Sequence, residues 1–288
     1  MELLAKLSKA INHPDKLKRY LGVFMRSVPY RLRLTKLIPK SFYLQHAPDR
    51  YVTHLATYNE RNEHKIYQPR ERSRWSDSSD MSRYYFLSLA SDQLIKERII
   101  GDVAELGVYK GSSAYFLAKL ARCLGTKAYF FDTFDGFNER DLVGRDNMAD
   151  AGSFSDTSLA SVRKFVGEEN VQYICGYFPQ SLAQIQEDPH FCLVHIDCDL
   201  YAPFKDALEY FYPRLVEGGM LVMHDYASYT WQGVETAVDA FFEDKPERPI
   251  LIPDKSGTAV IRKAFGTVQK SSAFSPDPTR HTDNIFQA

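Results

Sequence analysis

The sequence contains few cysteines, and their spacing matches neither a disulfide framework nor a zinc site. There are four in 288 residues, and no two of them form a Cys-x-x-Cys pair. They are Cys123, Cys175, Cys192 and Cys198. Isolated thiols of this kind are typical of a reduced intracellular protein, in which most of them belong to the core. We therefore expect a cytoplasmic protein.

A long apolar run is also missing. No uninterrupted stretch approaches the roughly 18 residues that a membrane-spanning helix needs. The opening segment, MELLAKLSKAINHP, has neither a long hydrophobic core nor a small-residue cleavage site, so we do not expect a signal peptide. With 44% hydrophobic and 25% charged residues, the composition is that of an ordinary globular protein.

The net charge is only -1, but the charges are unevenly distributed. Residues 1–74 contain 16 Lys and Arg against 6 Asp and Glu, whereas the rest of the chain contains 20 against 31. A basic arm thus precedes an acidic body. A solvated arm, peripheral contact with an anionic membrane or glycolipid, and nucleic-acid contact are all compatible with this pattern. No Asn-Pro-Pro-Tyr motif for methylating flipped bases is present, and we expect no nucleic-acid partner.

Residues 1–80 predict a basic helical arm or cap without chemistry of its own, which also suits a role in forming a homo-oligomer. Two short amphipathic helical patterns are followed there by Pro-interrupted and then polar sequence. A lid over a ligand is the alternative, with Tyr67, Arg74 and Trp75 as candidate contacts. Residues 81–263 form the predicted main domain, and residues 264–288 predict a flexible polar tail.

The chain is organised around residues 101–118, GDVAELGVYKGSSAYFLA, which predict a buried strand, a glycine turn and a helix opening at Ser112. Gly107 and Gly111 would let a ligand approach the backbone, and the first N–H groups of the helix would face it. Glu105, at the end of the strand, is placed to accept hydrogen bonds from a cationic ligand. The dinucleotide fingerprint Gly-x-Gly-x-x-Gly is absent, and a carboxylate here suits the ammonium group of S-adenosylmethionine better than a pyrophosphate.

The next two predicted strands carry candidate contacts for an adenosine. The run Lys127–Asp132 is too short for a helix and ends in an acid, which in doubly wound folds binds ribose hydroxyls. Asp132 is therefore a candidate ribose contact, although an exposed turn is the alternative. The third predicted strand, Val171–Cys175, leads into Gly176, near the expected place of an adenine. Between them, the aperiodic residues 138–156 predict a lid.

Acidic residues follow two later predicted strands, one beginning at Phe191 and one spanning Met220–Met223. Asp197 and Asp199 end the first, and His224 and Asp225 end the second. Such a cluster suits a divalent cation, which would make a hydroxyl more acidic beside a carboxylate or imidazole base. The alternative is that Asp199 and Asp225 cap the helices that follow, which explains one acid at each strand end but not the pair.

Five segments together resemble the macrocin O-methyltransferase (TylF-type) family. They are GDVAELGVYKGSSA, FFDTFDGF, FSDTSLASVRKFV, VHIDCDLYAPFKDALEYFYPRLVEGGMLVMHDY and GVETAVDAFF. They run in unbroken order from about residue 81 to 262. The resemblance implies an α/β class I methyltransferase fold, Rossmann-like, with a mostly parallel seven-stranded sheet and a C-terminal antiparallel hairpin. It also implies S-adenosylmethionine and a divalent metal, usually Mg²⁺, for the methylation of sugar hydroxyls.

The resemblance also implies roles for single residues. The cofactor contacts are Glu105, Gly107, Tyr109, Gly111, Ser112, Asp132, Thr133, Gly176 and Asp197. The metal ligands are Asp197, His224 and Asp225, with Asp199 and His224 as candidate catalytic residues. The family's last metal motif is typically Asp-Asp-Tyr, so His224 is a departure. An imidazole suits Mn²⁺ or Zn²⁺ better than Mg²⁺, which leaves both the metal and the metal dependence open.

We expect an S-adenosylmethionine-dependent O-methyltransferase acting on a sugar hydroxyl of a polysaccharide, glycolipid or glycosylated natural product. The alternatives are a non-catalytic cofactor-binding or assembly protein of the same fold and a nucleotide-using metalloenzyme. The acceptor cannot be read from the fold.

Overall fold

The computed structural model describes residues 81–266, except for 148, 150, 229 and 255. The predicted basic arm, with its candidate lid contacts Tyr67, Arg74 and Trp75, lies outside this part, as does the predicted tail beyond residue 266. Among the described residues, no helix has both the length and the apolar character needed to cross a bilayer.

Seven strands form one mixed sheet in the order β3-β2-β1-β4-β5-β7-β6. The strands are β1 Asp102–Leu106, β2 Ala128–Asp132, β3 Val171–Cys175, β4 Phe191–Ile196, β5 Leu215–Met223, β6 Ile250–Leu251 and β7 Ala259–Arg262. Strands β1 to β5 pair in parallel, while β7 runs antiparallel to both β5 and β6. This arrangement confirms the predicted class I methyltransferase fold and its C-terminal hairpin.

Five α-helices cover the two faces of the sheet. They are α1 Met81–Glu97, α2 Ser112–Leu124, α3 Leu159–Val166, α4 Tyr201–Phe211 and α5 Gln232–Phe242. Side chains of α1, α2 and α3, including Leu87 and Leu117, form one apolar core against the sheet. Side chains of α4 and α5, including Phe204 and Val238, form the other. Because helices cover both faces, every residue of β4 is buried, as expected for a central parallel strand.

Backbone hydrogen bonds continue past the ends of the central strands and hold them side by side. The Asp197 N–H donates to Leu106 O over 2.8 Å, and the His224 N–H donates to Ile196 O over 2.9 Å. The strand order reverses between β1 and β4, which is where open α/β sheets bind ligands beyond their carboxyl ends. The predicted functional residues of β1, β4 and β5 therefore meet at one edge.

The strand predicted at Met220–Met223 is longer in the structure, because β5 begins at Leu215 and includes Gly218 and Gly219. A Cβ on Gly219 would lie 2.9 Å from Val216 O and 3.0 Å from Phe191 O, so this glycine permits close backbone packing inside the strand. The two glycines lie at an irregularity in the β4–β5 pairing.

Two other segments of the chain contain 3₁₀ helices. The predicted lid, residues 138–156, contains 3₁₀ helices at Glu139–Asp141 and Gly144–Asp146. The residues after Gly176 contain a further 3₁₀ helix at Gln180–Gln184. Short polar segments without apolar periodicity carry too little signal to distinguish these conformations.

Gly107 lies where the ends of β1 and β4 touch. Its φ is +91°, and a Cβ added there would lie 2.0 Å from the Asp197 carbonyl oxygen. A backbone oxygen held in a strand ladder cannot move aside as a flexible side chain could. Glycine is therefore required at this point by the contact between the strands as well as by its backbone conformation.

We expect Gly107→Ala to lower the free energy of unfolding by about 3 kcal/mol or more, since it adds a backbone clash to positive-φ strain. Gly125→Ala is the matched control, because Gly125 also has a positive φ, +69°, but no atom lies within 4 Å of its added Cβ. The control should cost about 1 kcal/mol. Urea unfolding followed by circular dichroism measures both, and equal losses would contradict the role assigned to the strand contact.

Candidate functional site

A cavity of about 280 Å³ lies at the carboxyl edge of the sheet. Each of the five parallel strands contributes to its wall through the residues that follow the strand. Of the predicted site residues, the lining includes Gly107, Tyr109, Asp132, Thr133, Gly176, Asp197, Asp199, His224 and Asp225. The structure thus gathers nine predicted residues around one space.

Asp132 is held at the end of β2 by backbone N–H groups. Its Oδ2 accepts from the Tyr109 N–H and its Oδ1 from the Phe134 N–H, each over 2.7 Å. Burial raises the pKa of Asp132, while these N–H bonds act in the opposite direction. The contact with Phe134 is the local turn that the sequence suggested, yet the carboxylate also lines the cavity. A carboxylate can accept further hydrogen bonds, so Asp132 can also receive ligand hydroxyls.

Three predicted cofactor contacts do not line the cavity. The Glu105 carboxylate is fully buried and lies 2.7 Å from His195 Nδ1, because these two residues face each other across the β1–β4 pairing. Burial raises the pKa of Glu105 and the His195 bond opposes that rise. A Cβ on Gly111 would meet Val166 Cγ2 at 2.9 Å, so helix packing requires that glycine. Ser112 is buried in the first turn of α2. Ligand contacts for these three stay predictions.

Asp197, His224 and Asp225 form a compact charged cluster at the ends of β4 and β5. His224 Nδ1 lies 2.9 Å from Asp197 Oδ1 and 2.7 Å from Asp225 Oδ2. Burial disfavours a charged imidazole, but the nearby carboxylates outweigh it, and the pKa of His224 lies well above its ordinary value. Burial likewise disfavours the Asp197 carboxylate, yet His224 and Arg83 hold its pKa far below the usual range. The Nδ1 atom of His224 therefore lies between two carboxylates that favour the protonated imidazole.

Asp199 lies beside this cluster, and its pKa is shifted in the opposite direction from that of Asp197. Burial raises the pKa of Asp199 well above its ordinary value, and the Asp225 and Asp197 carboxylates reinforce the rise. Both Asp199 and Asp225 have positive φ, at 64° and 60°. Backbone strain of this kind in non-glycine residues is concentrated at functional sites.

The alternative role of these acids as helix caps is not observed. Helix α4 is preceded by Leu200 and α5 by Trp231, and neither N-terminus has a side-chain cap of its own. Instead, Asp146 from the 138–156 loop accepts the Tyr201 N–H over 2.6 Å. Asp199 and Asp225 are thus available to the cavity.

The donor set of the charged cluster fits a divalent cation. Asp197, His224 and Asp225 each offer one ligand atom, all within 4.8 Å of one another. A cation bound to these atoms would take the place of the positive charge that the two carboxylates favour on His224. Two carboxylates and an imidazole suit Mn²⁺, and the imidazole is the departure from the oxygen-only set that Mg²⁺ prefers.

Sequence reasoning missed Arg83, which comes from α1. Its Nη1 donates to Asp197 Oδ2 over 2.6 Å, and the residue is 3% exposed while lining the cavity. Asp197 consequently lies between two positive groups, Arg83 and His224. The two residues of the pair are separated by 114 positions in the chain, so no local pattern could have indicated it.

The sequence also gave no sign of an aromatic wall on the cavity, formed by Phe137, Phe154 and Trp231. The ring centroids of Phe137 lie 5.2 Å from Phe154 and 5.5 Å from Trp231, in edge-to-face geometry. Phe137 and Phe154 come from the segment after β2, whereas Trp231 follows β5. The wall therefore bridges the two sides of the cavity and offers apolar faces beside the charged cluster.

Comparison with known proteins identifies relatives of the whole site region. Residues 58–260 match the family model described as macrocin-O-methyltransferase (TylF). This match begins earlier than the segments that carry the resemblance in the sequence, and it includes part of the basic arm.

Two curated relatives are O-methyltransferases by name, and one of the names includes a rhamnosyl group. The 8-demethyl-8-(2,3-dimethoxy-alpha-L-rhamnosyl)-tetracenomycin-C 4'-O-methyltransferase of Streptomyces olivaceus is 27% identical over 157 residues, 49% of this chain and 59% of that protein. The mycinamicin III 3''-O-methyltransferase of Micromonospora griseorubida is 24% identical over 161 residues, 51% of this chain and 63% of that protein. The alignments thus span less than two thirds of these relatives.

One solved structure shows the fold independently. The O-methyltransferase NovP superposes with a TM-score of 0.56 at 21% identity, covering 64% of this chain and 81% of that one. At this identity the likeness concerns the fold alone.

We expect Arg83→Met to lower the free energy of unfolding by about 3 kcal/mol, because Asp197 loses a buried positive partner. The control is Lys127→Met, which removes a pair with Glu187 whose side chains are half exposed. That change should cost less than about 1 kcal/mol. Urea denaturation of both variants makes the comparison, and an Arg83→Met loss as small as the control's would contradict the importance of the pair.

Proposed function

The chain belongs to the macrocin O-methyltransferase (TylF) family, and from this membership we propose that it transfers a methyl group from S-adenosylmethionine to a sugar hydroxyl. The acceptor class we propose is a glycosylated natural product, glycolipid or polysaccharide. The reaction we propose depends on a divalent metal ion.

The observation that carries the proposal is the order of groups along the cavity. The charged cluster lies at β4 and β5, Gly107 at β1 and Asp132 at β2. An extended donor could therefore place its ribose at Asp132 and its methionine end at Gly107. Its sulfonium methyl group would then face the cluster, where an acceptor hydroxyl can be held.

The aromatic wall supports a sugar as the acceptor. Phe137 and Trp231 present apolar ring surface to the cavity beside the carboxylates. A sugar has an apolar C–H face and polar hydroxyl edges, so it can pack against the rings while a hydroxyl reaches the cluster. The name of one curated relative includes a rhamnosyl group, which favours a sugar-bearing acceptor here.

In the proposed mechanism the chain mainly aligns the reactants. The backbone at Gly107 and the Asp132 carboxylate orient the donor, and the aromatic wall limits access of water. When bound, S-adenosylmethionine supplies an electrophilic methyl group, and a cation on Asp197, His224 and Asp225 supplies charge that favours hydroxyl ionisation.

Asp199 is the proposed proton acceptor for the hydroxyl, with His224 as the alternative. Burial and the Asp225 carboxylate raise the pKa of Asp199 and so favour its protonated form. Its proposed role as a base requires that this proton leaves before the acceptor hydroxyl arrives. The predicted homo-oligomer and the membrane contact of the basic arm stay predictions.

We expect S-adenosylhomocysteine to bind the wild-type protein and Asp132→Asn to weaken that binding by about 1–3 kcal/mol, through loss of charge-assisted hydrogen bonds. Isothermal titration calorimetry measures the affinity. Asp135→Asn, which changes an exposed acid three residues away, should bind as the wild type does. Thermal melts confirm that each variant is folded.

Absence of S-adenosylhomocysteine binding to the wild type would overturn the proposed function, and a nucleotide panel would then test the metalloenzyme alternative. If the wild type binds S-adenosylhomocysteine but mass spectrometry detects no methylated form of any glycosylated acceptor, the non-catalytic alternative is favoured.

We expect Mn²⁺ to bind with one site per chain and Asp225→Asn to weaken it by at least about tenfold, because a direct ligand is lost. Asp239→Asn, an exposed acid on α5 that bonds the Tyr226 hydroxyl, is the control. Calorimetry with Mn²⁺ and with Mg²⁺ also tests whether the imidazole favours the former. Equal Mn²⁺ affinity in Asp225→Asn and the wild type would refute this metal site.

A further inference from the structure

The proposed function leaves one part of the donor without an assigned partner, namely the adenine base. With the methionine end at β1 and the ribose at β2, the base extends towards the end of β3, the next strand in the sheet. The residues that follow β3 are Gly176, Tyr177 and Phe178, none of which is an acid. The exocyclic amino group of adenine is a hydrogen-bond donor, so the cavity needs an acceptor near this point.

Asp141 is a buried acid on this side of the cavity. It ends the 3₁₀ helix Glu139–Asp141, is 6% exposed and lines the same space as Gly176 and Tyr177. Its Oδ1 accepts the Tyr177 hydroxyl over 2.6 Å. Its other oxygen, Oδ2, has no hydrogen-bond partner within the described part of the chain, and it is not among the fully enclosed unpaired atoms.

The Tyr177 side chain that holds Asp141 is itself fixed. The Arg140 guanidinium lies 3.1 Å from the centre of its ring, and Arg140 also contacts Gln180. Burial and the Asp141 hydrogen bond raise the pKa of Tyr177 to about 12, so the phenol remains a donor at neutral pH. The Asp141 carboxylate is thus anchored through one oxygen, while its other oxygen has no partner among the described residues and the residue lines the cavity.

A purely structural role does not account for this arrangement. An uncharged side chain could accept the single hydrogen bond from Tyr177. Burying a carboxylate costs free energy unless its charge is paired or hydrogen-bonded. The adjacent Arg140 stacks on Tyr177, and no ion pair with Asp141 is recorded among the described residues. A neutral ligand with an N–H donor would complete the hydrogen bonding of Oδ2.

We propose that Asp141 Oδ2 accepts a hydrogen bond from the 6-amino group of the donor's adenine, which makes Asp141 a specificity-determining residue for the base. This inference rests on the proposed function. It assigns recognition of the adenine to an acid in the loop after β2, because no acid directly follows β3.

The test compares S-adenosylhomocysteine with S-inosylhomocysteine, in which a 6-oxo group replaces the 6-amino group. Calorimetry on the full chain should show the wild type preferring the adenosyl compound by at least about tenfold, because the oxo oxygen would face a carboxylate. Asp141→Asn, whose amide can donate, should reduce that preference by about tenfold or more. Glu139→Gln, an exposed position on the same 3₁₀ helix, should keep the wild-type ratio.

Tyr177→Phe provides a second variant that does not depend on Asp141→Asn folding. It removes only the hydroxyl that anchors Asp141, and it should also lower the adenosyl-to-inosyl preference. Binding of S-adenosylhomocysteine with a preference that is unchanged in the folded variants would overturn the role of Asp141 and leave the proposed function standing. No binding of either compound to the wild type would overturn both.

Discussion

The contact between the ends of β1 and β4 is the constraint on which the site depends. Gly107 lies against the Asp197 carbonyl group. The Asp197 N–H donates to Leu106 O, and the His224 N–H donates to Ile196 O. Because these contacts hold each strand end beside its neighbour in the sheet, the charged residues after β4 and β5 come together although they are far apart in the sequence. A shift of this pairing by one residue would direct alternate side chains to the opposite face of the sheet.

Several acids lie close together in this site, and positive groups of the chain balance them. Arg83 and His224 flank Asp197, whereas burial and the Asp225 and Asp197 carboxylates raise the pKa of Asp199. The chain therefore carries its own countercharges, one from α1, which precedes β1, and one from the end of β5.

The sequence was informative for functional residues that lie at or directly after the end of a strand. Parallel strands bring their carboxyl ends to one edge, so short apolar runs ending in Asp132, Asp197 and Asp225 were enough to place those residues together. Arg83 and Asp141 were missed because their positions depend on how α1 and the 138–156 loop pack. Glu105 stays a predicted ligand contact, but the pairing of β1 with β4 places its side chain against His195, which the local spacing could not indicate.

Asp146 gives the loop after β2 a mechanical connection to the opposite half of the molecule. It is 3% exposed, binds the first N–H of α4 and lies so close to Gly233 that a Cβ there would be 2.6 Å from Oδ1. The loop thus leaves the end of β2 and is held at the start of α4, in addition to its contacts with Tyr177 and Trp231. An outward movement of the loop would break the buried hydrogen bond at α4. Movement of the loop and rearrangement of the α4 N-terminus are therefore energetically coupled.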